Sequence, residues 1–592
     1  MPSPGFLASN GVNLAHLRDY IRKELLDAIS AVEGHSKALF MDKSLIGVLG
    51  LVAEFSALKE RGVEKMFPLG PGPLPGGCPK SVIFLCRPKA HLIPLIAEKV
   101  KGKREAEAVE GHILFTPSKT MVVEKALKEF GIYGSCQLRE FKLLMAPMDS
   151  DLISMEMPLS LKASTVYGDH TALHYAAEAL MQMQYLYGII PRVAGKGEAA
   201  RHVANMMSQL LKEQGDPKVF ERGNTEIDAV ILIDRSVDLI TPLCSQLTYE
   251  GLVDELYGIT NNLVELPEEV APLQANGKPV KVELNSGDKL YSEIRDMNFS
   301  RVGPLLSSRA KSLSREYDER HGAKTVSEIK QFTSKLKRLQ DEQLSLRMHT
   351  DIAADVMLTT ARDEFFLACL NVEQTFLYGD DTDKSHAHIE SCICKKEPLL
   401  KVLRMICLQS VVNGGLKQKL LDFYRREILQ TYGFEHILTL DNLEKAGLLT
   451  LQESRSSYNS IRKSLRLIVD DDPEQEPEDI SHVYSGYAPL TVRIIEALAK
   501  PGGLRSIEEV LKLLPGPHFD LKQDLPKGFK APVAGGADGR QPKTVVFFLG
   551  GCTYAEIAAV RFLGSLIGRE FTIATTNVIN GSTMLETLME KI

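Results

Sequence analysis

The chain has 592 residues, more than one hydrophobic core normally supports, so we expect three or four packed units. Apolar residues make up 44% and charged residues 25%, a balance that excludes general disorder. The formal net charge of −7 disfavours a nucleic-acid-binding protein that neutralises phosphates over its whole surface.

The sequence also indicates in which cell compartment the protein is found. It contains no run of eighteen apolar residues, and its start lacks a charged stretch followed by an apolar one. Its nine cysteines are an odd number without a framework spacing, which fits a reducing cytosol. We therefore expect a soluble, cytoplasmic protein that contacts membranes only through partners.

The first 150 residues alternate apolar runs with amphipathic stretches, the rhythm of a parallel α/β domain. We predict strands at Lys37–Met41, Ser81–Cys86, 112–115 and 141–146. We predict helices near residues 47–60, 90–100 and 119–130. Residues 1–150 would form this first domain.

A second sheet is predicted in two pieces. "DLISMEM" from Asp151, helices near 170–186 and 199–213, and the strand 229–233 form the first piece. "VAGKGEAA" at 193–200 is interpreted as a helix start rather than a phosphate loop. Strands resume only at 544–551 and 571–576, and two strands alone make a poor sheet. Residues 151–246 and 480–592 would therefore share one α/β domain.

The interruption, 247–479, is dominated by helical periodicity, and we divide it into 247–360 and 361–479. The acidic, proline-containing stretch 470–479 suits an exposed linker at its end. An apolar stripe with the 3,4 spacing of a helical seam comprises Ile329, Phe332, Leu336, Leu339, Gln343 and Leu346. It would pack in an antiparallel hairpin against a second helix near 352–360. Residues 301–350 carry eleven Lys and Arg against six Asp and Glu, so the outer face could attract an acidic helix or simply be solvated.

The segment 231–259, "ILIDRSVDLITPLCSQLTYEGLVDELYGI", which we call the signature segment, places carboxylates after a buried strand. Asp234, Asp238, Glu250 and Asp254 could serve a nucleotide- or metal-dependent enzyme. The alternative that we favour is a network of ion pairs and helix caps in which Arg235 neutralises Asp238 or a helix carboxylate.

Two other motifs also allow two interpretations. Gly550-Gly551 before a helix could hold a phosphate, but a tight turn with Thr553 and Glu556 as a capping box explains the same residues, and no Walker lysine is present. The four potential zinc ligands converge poorly if their segment is helical, so ordinary packing is favoured: they are His386, His388, Cys392 and Cys394. We therefore expect no metal and no cofactor.

Arg425, Phe434 and Ile437 lie in "FYRREILQTYGFEHILTLDNLEKAGLL" and combine two apolar anchors with a charge. They could form an interface hot spot or pack in a core.

The signature segment resembles that of the SM (Sec/Munc) family of SNARE-binding proteins. The matching residues are Asp234, Arg235, Asp238, Thr241, Pro242, Leu243, Thr248, Tyr249, Glu250 and Asp254. "YSGYAPLTVRIIE" and "FFLGGCTYAEIAAVRFL" also look like SM motifs, so the resemblance covers essentially the whole chain. It implies an arch of two α/β domains, the second discontinuous, with a large, mainly helical insertion.

The resemblance also implies function: a non-enzymatic chaperone that holds SNARE helices, syntaxin-type included, in register for membrane fusion. The sequence is most similar to the class C vacuolar-protein-sorting branch, nearer its A type, whose members are subunits of the HOPS and CORVET tethers of late endosomes, lysosomes and vacuoles. The hairpin residues Lys330, Ser334, Lys337 and Arg338 would face SNAREs. Arg425, Phe434 and Ile437 would receive the helical C-terminal region of the class C partner subunit. Phe434 stands where relatives have a tyrosine, so it lacks the hydroxyl.

Overall fold

The computed structural model describes residues 11–101, 109–214, 225–272, 277–322, 326–379, 382–470, 472–500, 502–523 and 540–590. The side chains of 214, 318–322, 326–335 and 382–384 lie outside the description.

The first α/β domain is a five-stranded, all-parallel sheet in the order β2-β1-β3-β4-β5. Its strands are β1 (Lys37–Met41), β2 (Val63–Pro68), β3 (Ser81–Cys86), β4 (Glu110–Phe115) and β5 (Cys136–Glu140). Its helices are α1 (Leu14–Ser30), α2 (Lys43–Val52), α3 (Phe55–Glu60), α4 (Ile93–Lys101) and α5 (Met121–Glu129). The central strands β1 and β3 are buried at every position, as expected of a sheet covered on both faces.

The next segment contributes four strands and four helices. The strands are β6 (Ala146–Pro147), β7 (Leu152–Ser154), β8 (Arg192–Lys196) and β9 (Ala229–Asp234). The helices are α6 (Ser160–Val166), α7 (Thr171–Tyr187), α8 (Glu198–Gln214) and α9 (Ile240–Leu243).

The insertion that follows is mainly helical, with one two-stranded antiparallel hairpin that the sequence did not predict. That hairpin consists of β10 (Leu263–Leu266) and β11 (Val280–Glu283). The helices are α10 (Tyr249–Tyr257), α11 (Lys289–Ile294), α12 (Phe299–Gly322), α13 (Val326–Arg362), α14 (Glu364–Tyr378), α15 (Thr382–Cys394), α16 (Leu399–Asn413), α17 (Gln418–Tyr432), α18 (Ile437–Lys445) and α19 (Tyr458–Ser464).

The last segment returns to the second sheet. Its strands are β12 (His518–Lys522), β13 (Lys543–Leu549) and β14 (Glu570–Thr575). Its helices are α20 (Leu490–Ala499), α21 (Gly503–Leu511), α22 (Tyr554–Ile567) and α23 (Gly581–Leu588).

The second sheet confirms the predicted discontinuity. Its order is β12-β8-β9-β13-β14-β7-β6, and β9 pairs in parallel with β13, Ile231 opposite Val546, across the whole insertion. The edge strands β12 and β6 are antiparallel to their neighbours. The fold is therefore the predicted pair of α/β units with a helical insertion, while the domain limits at 150, 246, 360 and 479 stay predictions.

Three predicted elements were wrong. No strand spans 141–146: the fifth strand of the sheet is β5, which is polar and partly exposed at the sheet edge, and residues 141–145 form a connection to β6 that is buried except at Lys142. "VAGKGEAA" forms β8 and reaches α8 only at Glu198. The helix expected near 352–360 is the continuation of α13, which runs unbroken for 37 residues, and its antiparallel partner is α12.

Candidate functional site

The signature segment is buried, and its first part is built around Arg235. β9 ends at Asp234, and the short 3-10 turn Arg235–Val237 directs the Arg235 guanidinium inward, where it is 1% exposed. Its Nη1 donates to both oxygens of Glu556 at 3.0 and 2.8 Å, and its Nε donates to the carbonyl of Asp238 at 2.8 Å. Burial alone lowers the pKa of Arg235, but the Glu556 and Asp238 carboxylates raise it above the ordinary value. The predicted ion-pair network is therefore confirmed.

The carboxylates of this segment act as caps. Asp234 accepts hydrogen bonds from the backbone of Ser236 and Ala199, both at 2.9 Å. Asp238 accepts from the backbone of Ile240 and Thr241 at 3.1 and 2.9 Å, and from the Thr241 hydroxyl. Because these oxygens already have donors and Asp238 is buried, the geometry does not support the alternative of a metal- or nucleotide-dependent enzyme at Asp234 and Asp238.

The Gly550-Gly551 turn is filled by protein. A Cβ on Gly550 would lie 2.7 Å from that of Arg235, and one on Gly551 would lie 2.8 Å from Ile579. The Gly550 N–H donates to the Thr576 hydroxyl at 3.0 Å. Thr553 and Glu556 form the predicted capping box of α22. The turn thus seats α22 against Arg235 and does not form a phosphate cradle.

The second part of the segment joins the insertion to the second sheet. Thr248 caps α10, and the Tyr249 hydroxyl contacts His349 Nδ1 on α13 at 2.8 Å. Glu250 accepts from the Tyr291 hydroxyl at 2.5 Å and lies 3.5 Å from Arg561 on α22. Burial raises the pKa of Glu250 to about 7, although Arg561 opposes the shift.

Asp254 connects α10 to α23. It accepts from the Asn580 side chain at 2.8 Å and from the backbone of Ile259 at 3.0 Å. Burial raises the pKa of Asp254 to about 6, whereas the hydrogen bonds from Ile259 and Asn580 lower it. The signature residues therefore hold the insertion and the two sheet segments together rather than lining an open site.

Sequence reasoning missed Arg404, which is 1% exposed on α16. Its guanidinium binds both oxygens of Glu255 at 2.8 and 3.0 Å, donates to the Leu243 carbonyl at 2.5 Å, and lies 3.8 Å from Glu373. The sequence did contain a signal: Arg404 lies within the apolar run "LLKVLRMICLQ". A charge in a buried helix requires a partner of opposite charge.

The histidines and cysteines of α15 do not converge. His386 Nδ1 contacts the Tyr424 hydroxyl at 2.9 Å, while His388 lies 3.4 Å from Cys392 and Cys394 is exposed. In the part of the chain that the structure describes, no group of three or more potential ligands has a geometry that could hold a metal ion. Within the same residues, no helix has both the length and the apolarity needed to cross a bilayer.

The predicted partner surface is solvent-exposed. Phe434, in the short turn between α17 and α18, is 73% exposed, and Ile437 at the start of α18 is 58% exposed. Leu438 beside them is also exposed. Arg425 on α17 pairs with Glu444 on α18. The core interpretation of Phe434 and Ile437 is therefore wrong, and we call these four residues plus Glu444 the α17–α18 surface.

The hairpin carries the other predicted surface. Arg338 on α13 bridges to Glu316 on α12 at 3.0 Å and to Glu342 at 3.3 Å, and Lys337 is exposed beside it. Within the predicted stripe, Leu339 is buried, Leu336 and Leu346 are half-buried, and Gln343 is exposed. The side chains of Ile329 and Phe332 lie outside the described part. A groove of about 930 Å³ between α11, α12 and α13 is lined by Lys337 and Arg338. Lys330 and Ser334 belong to α13, but their side chains lie outside the described part.

Comparisons with known proteins agree with this architecture. The Sec1 family model matches residues 37–587. The chain is 51% identical to vacuolar protein sorting-associated protein 33A of Rattus norvegicus, over 99% of each chain. It is 39% identical to the vacuolar protein-sorting-associated protein 33 homolog of Arabidopsis thaliana, over 98% of each.

Two solved structures share the fold. The SM protein Vps45 in complex with the Qa SNARE Tlg2 aligns with a TM-score of 0.59 at 16% identity, covering 97% of each chain. Unc18 in the Unc18–syntaxin 1 complex from Monosiga brevicollis gives a TM-score of 0.59 at 15% identity, covering 97% of this chain and all of the other. Since the family model and the relatives both span nearly the full length, this chain belongs to the Sec1 family, which is the Sec/Munc family that its signature segment resembles.

Proposed function

We propose that this protein is a non-enzymatic SNARE-binding chaperone in vacuolar and lysosomal protein sorting, which aligns SNARE helices for membrane fusion. The observation that carries the proposal is the 51% identity to a vacuolar protein sorting-associated protein over 99% of both chains. Solved members of the fold were captured with a Qa SNARE and with syntaxin 1. The buried, capped carboxylates of the signature segment agree with a structural role rather than a catalytic one.

The physical task fits a long helical hairpin. SNARE segments that are disordered before assembly lose conformational entropy when they form a helical bundle. A preformed helix such as the 37-residue α13 offers a template, and part of that ordering then occurs on the chaperone. The face around Lys337 and Arg338, with Lys330 and Ser334 one to two turns earlier, is the proposed SNARE-facing surface.

The second part of the proposal is membership of a tether. The protein would be the SM subunit of HOPS, and of CORVET where both exist, peripheral on late endosomes, lysosomes or vacuoles. The α17–α18 surface would bind the helical C-terminal region of the class C partner subunit. In its favour, Phe434, Ile437 and Leu438 together expose apolar area at one place, whereas single exposed apolar residues are ordinary.

A pull-down tests this proposal. The wild-type chain, Phe434→Asp and the matched control Leu513→Asp would be incubated with endolysosomal lysate, and recovered tether subunits and SNAREs would be identified by mass spectrometry. Leu513, like Phe434, is an exposed apolar residue, but it follows α21 and is not part of the α17–α18 surface. We expect Phe434→Asp alone to lose the tether subunit while it keeps SNAREs. Recovery of the subunit by Phe434→Asp would contradict the docking surface, and failure of the wild type to recover any SNARE would contradict the chaperone.

A further inference from the structure

The short connection 148–151 between β6 and β7 is held by the insertion at three of its four residues, Met148, Asp149 and Ser150. The Met148 carbonyl accepts a hydrogen bond from the Asn262 side chain. Asp149 accepts from the Ser286 backbone at 3.2 Å, and the Ser150 hydroxyl lies 3.3 Å from that of Ser286. Three consecutive residues of the sheet domain thus contact turns of a different structural unit.

Two arginines complete these contacts. Arg295, directly after α11, donates to Asp149 at 2.5 Å and is 7% exposed. Arg561 on α22 binds both oxygens of Asp151, at 2.8 and 3.0 Å, and reaches across to Asp296 of the insertion at 2.8 Å. The sheet domain and the insertion therefore exchange charged hydrogen bonds in both directions.

The same turns are bonded to the hairpin. Asp288 caps α11 through one oxygen, and its other oxygen accepts from the Ser345 hydroxyl of α13 at 2.6 Å and lies 3.3 Å from His349 Nε2. His349 is fully buried and its other ring nitrogen contacts Tyr249. A continuous set of polar contacts thus runs from 148–151 through α11 to the long helix of the hairpin.

The two α/β domains and the root of the hairpin have separate apolar cores. One core, with Leu17 of α1 and Leu180 of α7, is shared by the two α/β domains. The root of the hairpin has a separate core that includes Tyr291 and Ile352. A further core, which includes Met148 of the connection and Leu403 of α16, joins the second sheet to the other helices of the insertion. Because charged hydrogen bonds are directional, the polar contacts at 148–151 constrain the angle between the root of the hairpin and the sheet more narrowly than apolar packing does.

We propose that residues 148–151 and the turns around α11 form a joint that fixes the angle at which the α12–α13 hairpin leaves the two α/β domains, with Arg295 and Arg561 as positioning residues. The joint sets how far the hairpin stands from the first α/β domain. It would position the hairpin surface used in the proposed function, but it is a property of the chain alone and is tested without any SNARE or tether subunit.

The test is a distance distribution between the first domain and the hairpin. Spin labels would be attached through keto amino acids at positions 121 and 344, since Met121 and Leu344 are both strongly exposed, and measured by double electron–electron resonance in the full chain. We expect Asp149→Asn and Arg561→Gln to broaden or shift the distribution, and Arg561→Lys, which keeps the charge, to give an intermediate width. The matched control is Asp479→Asn, which breaks a comparable pair with Arg493 at 2.7 and 2.9 Å outside the joint.

Far-UV circular dichroism of each variant separates a moved hairpin from a lost fold. If Arg561→Gln does not fold, Ser286→Ala, which removes only one hydroxyl from the joint, gives the same comparison. A wild-type distribution in the folded joint variants would overturn the proposal, as would a change of equal size in Asp479→Asn.

Discussion

Glu444 on α18 pairs with Arg425 on α17, so a salt bridge joins the two helices on either side of the exposed Phe434. Both partners are partly solvated, and such pairs contribute little to stability. The pair restricts the Arg425 guanidinium on the two helices that the Phe434 turn connects. Arginine and aromatic side chains are both typical of binding hot spots, and a preorganised side chain loses less entropy on binding.

The first prediction concerns this surface. Phe434→Ala should weaken binding of the partner subunit's helical region by about tenfold or more, which is the range of a hot-spot aromatic residue. Glu444→Gln should weaken binding by a smaller factor, because it only releases Arg425. Isothermal titration calorimetry measures both effects. Neither change should lower the thermal unfolding midpoint, since Phe434 is largely solvated; a large drop in that midpoint would show that the surface is structural.

The second prediction concerns pH and Glu250, whose pKa burial raises to about 7 from an unfolded value of 4.5. Between those values the folded chain binds more protons than the unfolded chain, so the contribution of Glu250 to stability is complete below about pH 4.5 and is lost as pH rises through 7. Glu250→Gln is neutral at every pH and should remove this contribution. The midpoint temperature of thermal unfolding should therefore fall less steeply between pH 5 and pH 8 in Glu250→Gln than in the wild type.

The control for that experiment is Glu124→Gln, which also removes one carboxylate. A hydrogen bond from Lys119 lowers the pKa of Glu124, so its titration lies below this pH range. This variant should leave the slope between pH 5 and 8 unchanged. Equal slopes in the wild type and Glu250→Gln would contradict the raised pKa.

The third prediction concerns Arg404. Arg404→Met keeps the length of the side chain but leaves Glu255 and Glu373 buried without their cation. Breaking one partner of a buried pair costs about 3–5 kcal/mol. Arg404→Met should therefore lower the free energy of unfolding by that order in urea titrations followed by circular dichroism. Arg425→Met, at a half-exposed pair, is the matched control and should cost about 1 kcal/mol or less.

The fourth prediction concerns the Gly550 turn. Gly550 has φ +97°, and an alanine Cβ there would lie 2.7 Å from the Cβ of Arg235. Gly550→Ala should destabilise the fold by several kcal/mol through strain and displacement of Arg235. Gly502→Ala, at φ +70° with nothing within 4 Å of the new Cβ, should cost only about 1 kcal/mol. Similar unfolding midpoints for the two variants would show that the turn can relax.

Central strands were predictable because their sequences are apolar throughout. β1 and β3 lie at the predicted residues, and every position in them is buried. Edge strands were not predictable, since β5 and β12 mix polar and apolar residues and lie at partly solvated sheet edges. The sequence prediction divided α13 into two helices near Ile352 and paired them with each other. No glycine or proline interrupts the chain between residues 326 and 362, so α13 continues as one helix and pairs with α12 instead.

Local contacts of the site were also predictable, but distant ones were not. The capping box of Thr553 and Glu556 follows from a spacing of three residues. The partners of Arg561, by contrast, are Asp151 and Asp296, which are hundreds of residues away along the chain. Nothing in a single sequence indicates which buried carboxylates an arginine will meet across the fold.

The pairing of β9 with β13 has a consequence for biosynthesis. After β9 leaves the ribosome, about 300 further residues must be synthesised before β13 can pair with its apolar edge. At typical rates of synthesis, roughly 5–20 residues per second, that delay is about 15–60 s. During this time the helical insertion can fold, while the half-built sheet presents an open strand edge to solvent. Newly made chains should therefore depend on molecular chaperones until synthesis is nearly finished, and truncations that remove the last segment should aggregate rather than persist as stable fragments.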